Sequence, residues 1–223
     1  NTHSLSFDGV DDYVELGTST VITGGSYTIE LQLKINSYST LISSGSRLHG
    51  NMEAYITSEG KFSFSHWLGG EPVSSTTLQN NVWYSLAFSY DYTTSEGKVY
   101  IDGVLEGTNT LGFHFGPGGN YSPANFLVGK CSDPTTTYFD GNMDEIRVWN
   151  TSRTQSEIQN NMSTSLSGSE SGLVGYWNFN EGTGTTLTDQ TSNGNDGTIS
   201  GATWSTDVPF TGTTTTSALT WSV

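Results

Sequence analysis

The chain has 223 residues, enough for one large domain or two small ones. Seven lysine and arginine residues face 22 aspartate and glutamate residues, a net charge of −15, which excludes a nucleic-acid partner because phosphate contacts need a basic footprint. So acidic a body attracts divalent cations and disfavours polyanionic ligands except where basic side chains cluster locally. Aromatic residues make up 12%, glycine contributes 27 residues and serine and threonine are abundant, a composition suited to short strands joined by polar turns. Only one stretch reads as a helix, so the expected class is all-β, a two-sheet antiparallel β-sandwich with one short helix. Cys131 is the only cysteine, which rules out a disulfide framework and leaves the compartment open. No apolar run approaches the ~18 residues of a membrane span, so no membrane insertion is expected. No signal peptide precedes Asn1, and the expectation is that a leader or upstream domains have been removed.

In chain order, Leu5-Ser6-Phe7 alternates and stops at the Asp8-Gly9 turn, and Tyr13 to Leu16 resumes as a strand. Asp8, Asp11 and Asp12 crowd the connection; a cation or a solvated, self-capping turn would each relieve their repulsion, and the turn is preferred for Asp11 and Asp12. Residues 27–35 alternate without a fault, with Tyr27, Ile29, Leu31, Leu33 and Ile35 on one face. Residues 40–43 form a neighbouring strand, 52–57 and 62–68 a hairpin, 73–78 a further strand, and 82–90 pairs with 98–101. Asp102-Gly103 is a hairpin turn. Residues 108–125 lack periodicity and read as a long loop, a frequent seat of function. Residues 126–130 return to a strand. Residues 138–150 then place Asp144 in phase with Ile146 and Val148, so Asp144 should point toward the interior and need a compensating partner. Thr154 to Met162 reads as a capped helix, 173–179 and 199–204 as strands, and 189–198 as a polar loop. The domain is expected to span 1–210, with residues 211–223 a Thr-rich linker or tail.

Several of these stretches resemble the laminin G-like, concanavalin A-type jelly-roll domains, a group that includes pentraxins and carbohydrate-binding modules. The matching segments are Leu5 to Val14, Val99-Tyr100-Ile101-Asp102-Gly103, residues 139–158 with their D-E-I-R-V-W core, and Leu173 to Gly182 with Asn193 to Thr198. In many relatives the last two motifs precede the F-D-G strand. Here they follow the helix, so the final strands should fill places that the first strands occupy elsewhere. The resemblance implies a jelly roll with a structural Ca²⁺ at the sheet edge, held by oxygen ligands. Carried onto this chain, it implicates Asp8 and Asp144 sharing one ion, supplemented by carbonyls near Gly9 and Asn142, with Asp189, Asn193 and Asp196 as weaker candidates.

No catalytic pattern accompanies the fold motifs. A retaining glycosidase needs two carboxylates on one face about 5 Å apart, whereas Asp144 and Glu145 are adjacent and face opposite ways on a regular strand. There is no nucleophile elbow, and histidines 3, 49, 66 and 114 lack metal-ligand spacing. The chain is therefore expected to be non-catalytic. Sugar faces stack on aromatic rings and sugar hydroxyls bond to polar neighbours; Arg47, His49, His66, Trp67, His114, Tyr121, Lys130 and Tyr138 supply such groups outside clear core positions. Trp83, Trp149, Trp177 and Trp204 read as core. The expected function is a secreted or cell-surface bacterial module, monomeric within a longer multidomain protein. It would hold an attached enzyme or surface protein on a polysaccharide, an acidic or sulfated one if these loops converge. A calcium-dependent protein-interaction or adhesion module is the alternative, and a lyase or glycosidase the third reading.

Overall fold

The computed structural model describes residues 1–16, 25–44, 52–66, 70–111, 126–131 and 137–209. The first strands are β1 (Ser4–Asp8), β2 (Tyr13–Glu15), β3 (Tyr27–Ile35), β4 (Thr40–Ser44), β5 (Met52–Ile56), β6 (Lys61–His66) and β7 (Val73–Thr77). They are followed by β8 (Trp83–Asp91), β9 (Glu96–Ile101), β10 (Val104–Thr110), β11 (Phe126–Val128) and β12 (Asp140–Trp149). The helix α1 (Gln155–Asn161) precedes β13 (Leu173–Trp177), β14 (Thr186–Leu187), β15 (Gly197–Ser200) and β16 (Thr203–Ser205). Two 8-stranded antiparallel sheets stack as a sandwich, which is the expected jelly roll. Sheet A runs β10-β9-β8-β3-β12-β1-β16 with β13 also on β12, and sheet B runs β14-β15-β2-β11-β4-β5-β6-β7.

The core lies between the sheets and follows from strand alternation. Ile29, Leu31, Leu33 and Ile35 of β3 point inward with Leu86 and Phe88 of β8 to meet Ile42, Ala54, Phe62 and Phe64 of sheet B. Each such side chain stabilises the fold by about 1.5–3 kcal/mol when fully buried. The alternate residues of β3 (Thr28, Glu30, Gln32) face outward yet are also buried, because α1 and the segment after it lie across sheet A. Thr154 opens α1 with a reciprocal capping box, its hydroxyl accepting from the Glu157 amide while the Glu157 carboxylate accepts from the Thr154 amide. Ile158 then packs on Ala87 and Tyr100.

Three sequence expectations are corrected here. Glu145 adopts φ 54° and the pairing of β12 with β3 slips between Asp144 and Arg147, a β-bulge. The extra residue reverses the phase, so Asp144 shares the outward face with Gln32, its partner in register, and not the inward face with Ile146. Trp83 is no core residue: it lies half-buried on the outward side of sheet A and donates its indole N–H to Asp207 Oδ1 at 2.9 Å. Residues 199–204 are two strands in different sheets, turned at Gly201 (φ 80°), where a Cβ would come 2.0 Å from Asp12 Oδ1.

Candidate functional site: the outward face of sheet B

Among the described residues, sheet B carries no helix on its outward side. Tyr13 and Glu15 flank the inward-pointing Val14 on β2, and Glu53 and Tyr55 alternate with buried Met52, Ala54 and Ile56 on β5. After β11 the chain passes Gly129 (φ 80°), whose amide donates to the Leu41 carbonyl and where a Cβ would meet the Phe7 ring at 2.8 Å. This close approach turns Lys130 outward, and a bridge between Lys130 and Tyr138 fixes the two strands around it. The Lys130 ammonium lies 4.4 Å from the Tyr13 ring centre and 5.5 Å from that of Tyr138. Of the cationic side chains in described residues, Lys34, Lys98, Arg147 and Arg153 are ion-paired, whereas Lys61 and Lys130 have no ion pair with a described residue. A polar row extends from this cradle: the Thr40 hydroxyl donates to Glu53 Oε1 at 2.8 Å and meets the Thr137 hydroxyl at 2.8 Å, and the Tyr55 hydroxyl donates to Glu71. Burial and the Glu71 carboxylate push the Tyr55 phenol up to about 12, so it stays a donor. The face thus offers ring surfaces, cationic side chains and carboxylate acceptors, the groups that recognise sugars.

The expected metal ligands lie in two places. Asp8 pairs in register with Asp140, whereas Asp144 lies one residue beyond Met143, the partner of Leu5. Four residues of strand separate the two positions, about 13 Å at ~3.3 Å per residue, so one ion cannot take both. Asp8 instead joins Asp11 and Asp12, their carboxylate oxygens within 4.8 Å of one another. There Asp8 Oδ1 accepts the Val10 amide and Asp12 Oδ2 the Asp8 amide, both at 2.9 Å. Asp144 is fully buried. Its Oδ2 accepts from Asn1 Nδ2 at 2.6 Å, while Asp144 Oδ1 and Asn1 Oδ1 are buried without a donor among the described residues. Burial pushes Asp144 up to about 8. Orphaned oxygens on two side chains that touch through another hydrogen bond suit an oxygen-seeking cation, which would restore the ionised carboxylate. Asp189 has no such need, since it accepts the Tyr176, Thr191 and Asn195 amides and the Thr191 hydroxyl. Asp196 accepts the Asp189 amide, and Asn193 donates to the Val174 carbonyl. These three weaker metal candidates are backbone staples of the 189–197 turn.

Residues 8–159 match the family model for the concanavalin A-like lectin/glucanases superfamily of laminin G type 3. The chain belongs to this superfamily. No curated protein matches the sequence. Among solved structures, a protein from Bacteroides ovatus described as carbohydrate-binding is similar with TM-score 0.72 and 22% identity, over 92% of this chain and 60% of that one. This chain therefore spans about three fifths of the Bacteroides protein. A pentraxin from Limulus polyphemus is similar with TM-score 0.55 and 14% identity, over 73% and 82% of the two chains. The CBM40 of a Ruminococcus gnavus sialidase, bound to α2,3-sialyllactose, gives TM-score 0.55 and 15% identity over 70% and 95%. These likenesses establish the fold.

Within this concanavalin A-like frame, three of the eight expected ligand residues, His66, Lys130 and Tyr138, lie in described positions. Lys130 and Tyr138 come together, with the Tyr13 ring also against the Lys130 ammonium. Tyr13 was not foreseen, although its alternation with Val14 was the available signal. His66 is a core residue: its Nε2 lies 2.6 Å from the Tyr27 hydroxyl and its ring packs edge-on to Tyr90. Arg47, His49, Trp67, His114 and Tyr121 lie outside the described residues. The strand ends that flank their segments (Ser44, Met52, His66 and Phe126) pair with one another at the opposite end of sheet B from Lys130.

Proposed function

We propose that this chain is a non-catalytic carbohydrate-binding module of the concanavalin A-like superfamily. It binds an acidic or sulfated polysaccharide across the outward face of sheet B and holds an attached enzyme or surface protein there, outside the cell, by raising its effective concentration. One observation carries this reading: Lys130 stands between two tyrosine rings on a sheet face that no described helix covers, on a body whose net charge is −15. The ammonium reads a carboxylate or sulfate, Tyr13 and Tyr138 lie against the sugar ring, and Glu15 and Glu53 accept hydroxyls. Affinity gel electrophoresis against neutral, uronate-rich and sulfated polysaccharides tests it. The expected result is retardation by an anionic glycan, weakened about tenfold or more in Lys130→Ala, the loss of one charge-assisted contact. Absence of retardation by every glycan sinks the proposal and leaves protein adhesion as the role.

The same reading includes a structural Ca²⁺ on Asp144 and Asn1, away from the binding face. Calcium should raise the melting temperature of the parent and leave Asp144→Ala unmoved; at a hundredfold excess over the dissociation constant, the stabilisation is about 2.7 kcal/mol. Identical melting of the parent in calcium and in chelator would remove the ion and leave Asp144 protonated.

A further inference from the structure

The outward side of sheet A holds a second concavity that the sheet B face does not use. Gln32 of β3 and Ser85 of β8, partners in register, form its floor. Trp83, Asp102, Pro209 and the turn at Met162 and Ser163 form its walls, around about 190 Å³ of open volume. At ~30 Å³ per water this corresponds to roughly six waters, the scale of one sugar ring and short of the ~300 Å³ where drug-sized pockets begin.

The pocket is built from fixed parts. The Trp83 indole is tethered to Asp207, which is also ion-paired with Lys34, the register partner of Trp83. The Gln32 amide donates to the Met162 carbonyl at 2.7 Å, which locks the turn after α1 over the floor. Asp102 accepts the Ser85 amide at 2.9 Å and donates its own amide to the Ser85 carbonyl at 2.7 Å. The hairpin turn at Asp102 and Gly103, with φ 49° and 73°, thereby brings a carboxylate to the pocket wall. The ligand class follows from charge and shape. Asp102 and nearby Asp207 disfavour an anion. Lys34, with its ammonium 5.9 Å from the Trp83 ring centre, disfavours a cation above that ring. What remains is a neutral ring with an apolar face for Trp83 and hydroxyls for Asp102, Gln32, Ser85 and Ser163.

We propose that the pocket between Trp83, Asp102 and the turn after α1 is a second sugar subsite, selective for a neutral pyranose unit. It faces away from the Lys130 cradle, so the module can engage one anionic and one neutral glycan segment. This goes beyond the proposed function and stands on separate residues.

Two-dimensional ¹H–¹⁵N spectra of the full chain test it through the Trp83 indole N–H. D-Glucose, D-galactose and D-xylose are titrated to ~100 mM, a range that reaches the weak millimolar affinities of single small ligands. D-Glucuronate and choline serve as anionic and cationic controls. The expected result is a saturable shift with at least one neutral sugar and none with either control. Asp102→Asn, which keeps an acceptor for the Ser85 amide, should weaken that affinity about fivefold or more, while Lys130→Ala leaves it unchanged. Trp83→Ala should abolish binding of the same sugar by calorimetry while retaining gel retardation by the anionic glycan. No saturable shift with any neutral sugar, equal response to glucuronate or choline, or unchanged affinity in Asp102→Asn would each overturn the proposal. None of these outcomes bears on the Lys130 face, whose failure is read separately in the gels.

Discussion

Arg147→Met should destabilise the protein by about 3–5 kcal/mol, the range for removing one member of a buried ionic cluster. Arg147 is 1% exposed. Its Nη2 donates to Glu145 Oε2 and to the Thr164 carbonyl, both at 2.7 Å, and its Nη1 donates to the Asn161 carbonyl at 2.6 Å. Glu30 lies 3.6 Å from the same guanidinium. Methionine keeps much of the volume, so the loss is polar rather than a cavity. It leaves two carboxylates in the interior and strips the bonds that hold the end of α1 to β12. Urea denaturation measures this directly. Arg147→Lys should recover only part of the loss, because one ammonium cannot reproduce the planar fork. A cost below about 1 kcal/mol would mean that the segment over sheet A is held by Ile158 and Trp149 alone.

Glu30 governs the second large effect. The Arg147 and Arg153 guanidiniums approach it at 3.6 and 3.4 Å, yet neither Glu30 oxygen takes a well-formed hydrogen bond. Burial therefore outweighs their attraction and pushes Glu30 up to about 7, from the usual 4.5. A carboxyl raised on folding contributes stability that is fully present below its unfolded value and is lost as pH rises through its folded value. Across pH 4.5 to 7 the loss is about 3 kcal/mol at ~1.4 kcal/mol per unit. Asp144, raised to about 8, adds a slope of the same sign in chelator. The other group against Glu30 is the Trp149 indole. The pH dependence of urea stability should therefore flatten in Glu30→Gln, and the variant should exceed the parent above pH 7. An unchanged slope would place the titration on another group.

The strand framework was legible because its signals are local. The nine-residue alternation from Tyr27, the Asp102-Gly103 turn and the Thr154–Glu157 capping box all appear in the structure at the residues that carry them. Asp144 was misplaced because period-two reasoning assumes an unbroken strand, and a non-glycine residue with positive φ at Glu145 leaves no mark in composition. Trp83 and His66 were exchanged between surface and interior for a related reason. A strand has two faces, and only the packing of α1 and of Tyr27 decides which is dry. Lys130 and Tyr138 were singled out from residue type. Their convergence with Tyr13 depends on the backbone at Gly129, which packs against Phe7 from the far end of the sequence.

The position of β1 bears on how the chain reaches this state. Leu5 is hydrogen-bonded between Met143 on one side and Trp204 on the other. β1 therefore has no sheet neighbour until β12, about 130 residues further along the chain, has been made, and its second neighbour β16 follows later still. High contact order of this kind slows folding, since the entropy of closing a very long loop is spent before any ladder bond repays it. During that wait the Leu5 and Phe7 edge is open to pairing with other chains. Efficient production should then depend on slow synthesis, low temperature or a chaperone that shields the amino-terminal strand. Once closed, β1 lies in a sheet interior, and tension applied at that end must shear two ladders together rather than peel one.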